Sequence, residues 1–485
     1  MFRQEKKYYA RAFLYALAMA AVLLAPFVLL DGGYFVYYGD YNAQQIPFYK
    51  TCIEAVQSGN LGWNWRTDLG ANFVGSYSFY TLGSPFFWFA ALFPVEISQY
   101  LMAPLLALKI ACSSFFAFVY IRRFVTNPQH ALIGGLLYAF SGYSMYNIFF
   151  NHFHEAIVFF PLLLIGLEES VVNKRRGALA VAVAINAFVN YFFFIGECVF
   201  LVLYFVIRLI GDSRFRIGVK DFFCLAFEAV CGVLIAGVLF VPSIFQVLDV
   251  PRSTSMLNGW DFLFYNKNQR YGLILEAMFF PGEVPARTIM FEKADSKWSS
   301  VALFLPLFSM SGVIAMVKGA ATEASRRMKW LRILLPACII IAMIPGLNSS
   351  FVLFNYSFYT RWFYMPELLC AMATVYVLEH EEFDLGFGAK FSAAAAGLMI
   401  LVVTATYLAI TFDQMVRFSL TRRRALGLLM GMAGAQALCS MGLAALLTWV
   451  ERATAPMLWK AISGAASVTL ERSGQVIPEL GSTAA

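Results

Sequence analysis

The chain has 485 residues, of which 60% are apolar, 17% aromatic and only 13% charged, and its mean hydropathy is +0.68. A soluble domain carries roughly 25% charged residues, so the composition argues against a water-soluble globular protein and for an all-α polytopic integral membrane protein. The net charge of +7 sits in short Lys/Arg clusters between apolar segments, the pattern of cytoplasmic loops, and there is no reason to invoke a nucleic-acid partner. Of eight cysteines all but Cys52 fall inside apolar segments, which leaves neither a disulfide framework nor a Cys/His zinc spacing.

Arg3, Lys6, Lys7 and Arg11 precede an apolar run from Ala12 to Leu30, which at about 19 residues is long enough to cross a bilayer. Ala18-Met19-Ala20 resembles a cleavage site but falls in mid-run, so the segment is expected to be an uncleaved anchor with the N-terminus inside. Further apolar segments start near residues 98, 131, 156, 178, 195, 222, 300, 331, 361, 391 and 424, giving about twelve transmembrane helices. Arg122-Arg123, Lys174-Arg175-Arg176, Arg214, Arg216 and Lys220, and Lys318, Arg326, Arg327, Lys329 and Arg332 then share the cytoplasmic side. Two long extracytoplasmic loops result, about 31–79 and about 248–298.

The first loop opens on Tyr37-Tyr38-Gly39-Asp40-Tyr41-Asn42-Ala43-Gln44-Gln45. A carboxylate at the water–lipid boundary suits an enzyme that deprotonates an alcohol beside a membrane, and Asp40 is the candidate general base. Tyr41 and Gln44 are candidate ligands for sugar hydroxyls. Asp31, followed by Gly32-Gly33, is adequately explained as the end of a span. Ala43 to Ser58 alternates apolar and polar residues at helical spacing and ends at Gly59, predicting an amphipathic helix on the membrane. Trp63 and Trp65 have sugar stacking and interfacial anchoring as their two readings, and Asp68 follows them in the same loop. Pro85 to Pro94 is too short to span and predicts a re-entrant or interfacial segment.

The chain has four histidines, and two of them stand in Asn151-His152-Phe153-His154-Glu155, on a turn predicted to share the side of Asp40. Two imidazoles and a carboxylate can bind phosphate oxygens or sugar hydroxyls, and His154 with Glu155 can hold a divalent cation such as Mg or Mn. A solvated turn is the plain alternative. Charged residues inside apolar segments need a partner or a cavity: Glu197 and Glu367 are placed to line a site near the outer face, whereas Lys109 and Glu228 suit structural ion pairs between helices. Arg361, followed by Trp362 at the outer start of a span, is the candidate phosphate ligand, because a guanidinium pairs bidentately with phosphate oxygens. A snorkelling arginine beside an interfacial tryptophan is its alternative. Arg252, Lys267 and Arg270 of the second loop are reserve candidates. No phenylalanine occurs after Phe418, and this change of composition divides the chain into residues 1–410, the expected catalytic membrane module, and 411–485, an atypical hydrophobic tail in which Arg422-Arg423-Arg424 stands against the orientation of the rest.

The order of Gly39-Asp40-Tyr41 with Gln44-Gln45-Ile46-Pro47-Phe48-Tyr49, then Gly75-Ser76-Tyr77-Ser78-Phe79-Tyr80 with Gly83-Ser84-Pro85-Phe86, then Phe160-Pro161-Leu162 through Glu168-Glu169, then Tyr359-Thr360-Arg361-Trp362, resembles the YfhO family of bacterial membrane proteins over roughly residues 1–410. The resemblance implies a GT-C-type glycosyltransferase with extracytoplasmic loop helices, located in the bacterial cell membrane with its active site on the extracytoplasmic face. It also implies a polyprenyl-phosphate-linked sugar as donor, a cell-surface glycopolymer such as lipoteichoic acid or a lipid as acceptor, and Asp40 at the position of the catalytic carboxylate. No DxD-type nucleotide-sugar motif lies in a cytoplasmic loop, which fits a lipid-linked donor. The alternative reading is a transporter or flippase of lipid-linked saccharide, and against it no sequence repeat is found. A membrane O-acyltransferase wants a histidine deep in a span, where His152 and His154 are not expected.

Overall fold

The structure is a computed structural model that describes residues 2–67, 69–248, 255–282, 290–291, 294 and 298–417. Asp68, Arg252 and Arg422-Arg423-Arg424 lie outside the described residues. The chain divides into two compact units, Met1–Gly397 and Leu398–Ala485. Every candidate site residue that is described belongs to the first; in the second, residues 398–417 are helical.

Apolar segments take helical form because a helix satisfies its own backbone N–H and C=O groups, which lipid cannot do. Helix α1 (Phe2–Leu30) packs along α5 (Met102–Ile121), which in turn packs against α6 (Pro128–Ala139) and α8 (Phe153–Val171). Between α1 and α5 the chain forms a shelf: a π-turn over Tyr41–Gln45, α2 (Ile46–Ser58), a hairpin of β1 (Trp63–Asn64) and β2 (Ala71–Asn72), α3 (Phe73–Tyr77) and α4 (Pro85–Ala90). The predicted amphipathic helix is α2. It buries Tyr49, Cys52, Ile53 and Ala55 and stops at Gly59, whose left-handed φ of 71° lets its N–H close on the carbonyls of Ala55 and Val56. The predicted short interfacial segment is α4, with the Ser84 hydroxyl accepting from the N–H of Phe87 at its start.

After the short α7 (Gly142–Tyr146) and α8 come α9 (Ala178–Val189), α10 (Tyr191–Gly211), α11 (Val219–Ile235) and α12 (Gly237–Leu248). The second long loop carries α13 (Gln269–Phe279), and the chain continues through α14 (Ser311–Lys318), α15 (Glu323–Arg327), α16 (Lys329–Met343), α17 (Pro345–Ser349), α18 (Tyr364–Glu379) and α19 (Leu385–Arg417). Among the described residues four helices, Lys6–Leu30, Met102–Ile121, Tyr191–Gly211 and Leu385–Ala405, are long and apolar enough to cross a membrane, and the number reaches six if each of two bent pairs, α11–α12 at 76° and Lys329–Met343 with Pro345–Val352 at 101°, is one span. The expected count of about twelve is not reached among the described residues, because several apolar segments fold into shorter helices such as α6 and α9. The segment expected from residue 300 does not form a span: residues 301–310 are non-helical, with positive φ at Leu307 and Ser309, and only α14 follows.

The basic clusters gather at one end of the bundle. Glu169 accepts from Arg123 at 2.5 Å and from Arg175 at 3.2 Å, and Asp221 pairs with Lys174 and Arg176. Just inside this end Arg208 grips Glu168 with two bonds of 2.9 Å while lying over the Phe215 and Trp330 rings. The opposite end, where α5, α8 and α18 begin, carries Asp40, His152 and Arg361. One buried ion pair pins it: Lys109 Nζ on α5 lies 2.8 Å from Glu155 Oε1 on α8, and both side chains are shut off from solvent. The ammonium also donates to the backbone and side-chain oxygens of Asn151, each at 3.1 Å, and Ser84 donates to Glu155 Oε1 at 2.6 Å. The pair expected for Lys109 is thus made with Glu155; Glu228 instead accepts from the Ser170 hydroxyl at 3.3 Å.

Removing one partner of a buried ion pair leaves the other uncompensated and costs about 3–5 kcal/mol, whereas replacing both by apolar residues is far milder. Lys109→Met and Glu155→Leu are each predicted to lower the thermal stability of the purified protein strongly, and the double substitution to recover most of it. Additive losses in the double variant would contradict the pairing.

Candidate functional site

Asp40 is placed by Gly39. With φ at +56°, Gly39 turns the chain into the Tyr41–Gln45 π-turn, and a Cβ there would meet the Phe149 ring at 2.8 Å. The turn is braced on both sides: Asn42 Nδ2 donates to the Tyr37 carbonyl at 2.6 Å and the Tyr37 N–H donates to Asn42 Oδ1 at 3.1 Å. Phe149 stacks on Trp298 with centroids 4.6 Å apart. An aromatic wall built from the turn after α7 and from the second long loop therefore backs Gly39, and Asp40 itself is half-buried.

The turn carries Gln45 inward, where its Oε1 lies 3.0 Å from His152 Nδ1. With that oxygen as acceptor, Nδ1 carries the proton and Nε2 the lone pair. Burial, with Arg361 and Lys109 adding like charge, holds His152 well below the usual imidazole range, so it is neutral at physiological pH. Tyr80 lies against the same imidazole, centroids 4.6 Å apart. Burial raises the Tyr80 phenol; of the charges it senses, Arg361 lowers its pKa and Asp40 raises it. Tyr80, packed on His152, thus senses both the candidate base and the candidate phosphate ligand.

Arg361 sits in an aromatic cage, its guanidinium carbon 3.9 Å from the centroid of Tyr359, 5.1 Å from Phe153, 5.5 Å from Phe192 and 5.6 Å from Phe150. Its backbone is held from behind, since the Tyr143 hydroxyl donates to the Arg361 carbonyl at 2.5 Å. On one side it lines a narrow cleft with Phe192, Phe193, Phe351, Tyr359 and Trp362. The cleft has a volume of only about 10 Å³, so an anion joined to a hydrophobic tail has to part these rings to meet the caged cation.

The other expected residues divide clearly. Trp362 reaches the cleft but its ring stacks on Phe351 at 4.2 Å and its Nε1 donates to Asn348 at 2.7 Å, which fixes the loop. Tyr41 is fully buried against Phe35, and Gln44 is half-exposed beside Gln45, which makes the contact with His152. Glu197 accepts from Tyr364 at 2.8 Å and Glu367 from the N–H of Tyr143 at 3.3 Å, both buried behind the cage. Arg270, also buried, donates to the carbonyl of Phe358 and, at 3.4 Å, to Ser299 Oγ, which pins the second loop. His154 bonds the Ser144 carbonyl through Nε2 at 3.0 Å and Glu155 is committed to Lys109. This does not fit a divalent cation on His154 and Glu155, and among the described residues no three His, Cys, Asp or Glu side chains form a metal-ligand group.

Gln45 and Tyr80 are the residues that sequence reading passed over. Both lie in motifs already marked, but only the fold shows which of Gln44 and Gln45 turns inward, and that the Gly75–Tyr80 stretch returns to His152.

No curated protein and no solved structure matches the chain. A family model does, over residues 11–473, a range that continues well past the composition change near residue 410. The chain belongs to the family described as bacterial membrane protein YfhO.

Proposed function

We propose that the protein is a membrane glycosyltransferase of the GT-C type that moves a sugar from a polyprenyl-phosphate donor to a hydroxyl of an envelope glycopolymer or lipid, such as lipoteichoic acid, on the extracytoplasmic face. The observation that carries this reading is the Arg361 guanidinium, caged by rings beside an apolar cleft; that Tyr80 senses both this charge and Asp40 supports it. Membership of a bacterial membrane protein family supports the setting.

In this reading the donor phosphate pairs with Arg361 and the first part of its tail parts the rings of the cleft between Phe192 and Phe351. Asp40 takes the proton of the acceptor hydroxyl, whose oxygen attacks the anomeric carbon. The bond from that carbon to the phosphate oxygen breaks, the electron pair leaves with the polyprenyl phosphate, and Arg361 stabilises the charge that develops there. Neutral His152, oriented by Gln45, offers its Nε2 lone pair to a sugar hydroxyl without adding charge. The two bent helix pairs favour a second reading, a flippase of lipid-linked saccharide, since transporters use broken helices. A flippase would move the donor between leaflets without releasing polyprenyl phosphate.

Asp40→Asn keeps the size of the side chain and removes the base, so sugar transfer in a reconstituted assay is expected to fall about 100- to 10,000-fold, while Asp31→Asn, at the exposed end of α1, retains most activity. Wild-type transfer by Asp40→Asn would eliminate Asp40 as the base. Arg361→Lys is expected to raise the donor KM about 10- to 100-fold, the loss of one charge-assisted hydrogen bond. An unchanged donor KM would return Arg361 to an interfacial anchor.

A further inference from the structure

Two segments far apart in the sequence meet at the end of the bundle opposite the basic clusters and leave a set of large apolar side chains uncovered. Helix α16 starts at Lys329, beside Arg326 and Arg327, runs away from that end, and bends by 101° into Pro345–Val352. The loop after it is stitched to the turn at 255–264: the N–H of Leu257 donates to the Phe354 carbonyl at 2.9 Å, the N–H of Tyr356 donates to the Ser255 carbonyl at 2.9 Å, and Phe262 stacks on Phe354. Outward from this seam stand Trp260 at 77% exposure, Phe264 at 60%, Leu353 at 60%, Leu263 at 50%, Phe354 at 42% and Leu347 at 41%.

Two features set this patch apart from scattered surface apolars. Leu353 and Phe354 hold φ values of 54° and 60°, a left-handed conformation that side chains other than Gly, Asn and Asp rarely adopt, so the backbone is strained in the act of turning them out. The polar groups of the seam lie together at its edge, where Tyr356 donates to Asp261 at 2.8 Å and Asn266 donates to Tyr356 at 2.9 Å, with Lys267 exposed next to them. An apolar face that includes tryptophan and whose one carboxylate, Asp261, is bonded by Tyr356 at the polar rim has the layout of a segment seated at a membrane–water interface.

We propose that residues 256–264 and 347–354 form a lip that inserts into the leaflet at this end of the bundle, its partner being the lipid surface itself. Continuity with α16, whose length and composition suit a span only together with the bent Pro345–Val352, selects lipid over a protein partner. Phe351 and Val352 reach from the lip into the Arg361 cleft, so the lip stands where the cleft meets the bilayer. The inference does not depend on the chemistry proposed for the cleft.

The test is fluorescence quenching of the full chain reconstituted in liposomes containing brominated phosphatidylcholine. Trp260→Phe is expected to reduce the lipid-quenched part of the tryptophan emission and to leave the part quenched by aqueous iodide unchanged, and adding Phe264→Trp to that variant is expected to restore lipid quenching. Loss of iodide-quenched emission in Trp260→Phe, or emission from Trp260 that neither reagent quenches, would overturn the proposal by placing the residue in water or against protein.

Discussion

The Lys109–Glu155 ion pair is the constraint on which the candidate site depends. Neither charge can remain alone in this setting, because an uncompensated ion away from water costs several kcal/mol, so α5 and α8 must meet at one register. Asn151 and Ser84 add to the arrangement, Asn151 by accepting twice from the ammonium and Ser84 by donating to Glu155 Oε1. Through Ser84 the pair also reaches the turn before α4, which ties the shelf between α1 and α5 to the bundle. His152 lies between Asn151 and α8, and its position is therefore set by the same contact.

From that fixed point the site grows outward in layers. His152 orders Gln45, Gln45 ends the turn that begins at Asp40, and the Tyr80 ring closes over the imidazole. Arg361 arrives from the far part of the sequence and is held by rings and by the Tyr143 hydroxyl at its carbonyl. Such a cage leaves the guanidinium charged and oriented at low reorganisation cost, the condition under which fixed charges act most strongly on a developing anion. The neutral His152 keeps a second positive charge away from the same space.

Much of this was legible in the sequence because membrane constraints are severe. The long apolar first helix, the amphipathic α2 with its Gly59 stop, the short α4 and the shared end of the basic clusters follow from apolar run length, helical spacing and the placement of Lys and Arg. What stayed hidden depends on contacts between distant segments. Lys109 signalled a pair by its burial cost, but the adjacent Glu155 read as a metal ligand and Glu228 as an equal partner for a pair. The region after residue 300 read as a span because hydropathy registers apolar content, whereas burial against protein serves residues 301–305 equally well. Gln44 and Gln45 are chemically identical, and only the π-turn decides between them. The order of the motifs along the chain led to the family, and the match over residues 11–473 establishes it.

The central claim is that one space holds both the carboxylate of Asp40 and a donor phosphate on Arg361. A structure of the full chain in nanodiscs with a non-transferable polyprenyl-phosphate sugar analogue tests it most directly. The account predicts the phosphate within ion-pairing distance of Arg361, the tail entering between Phe192 and Phe351, and the anomeric carbon facing Asp40 across a gap that an acceptor hydroxyl fills. A phosphate bound away from Arg361, or an anomeric carbon separated from Asp40 by other side chains, would contradict it.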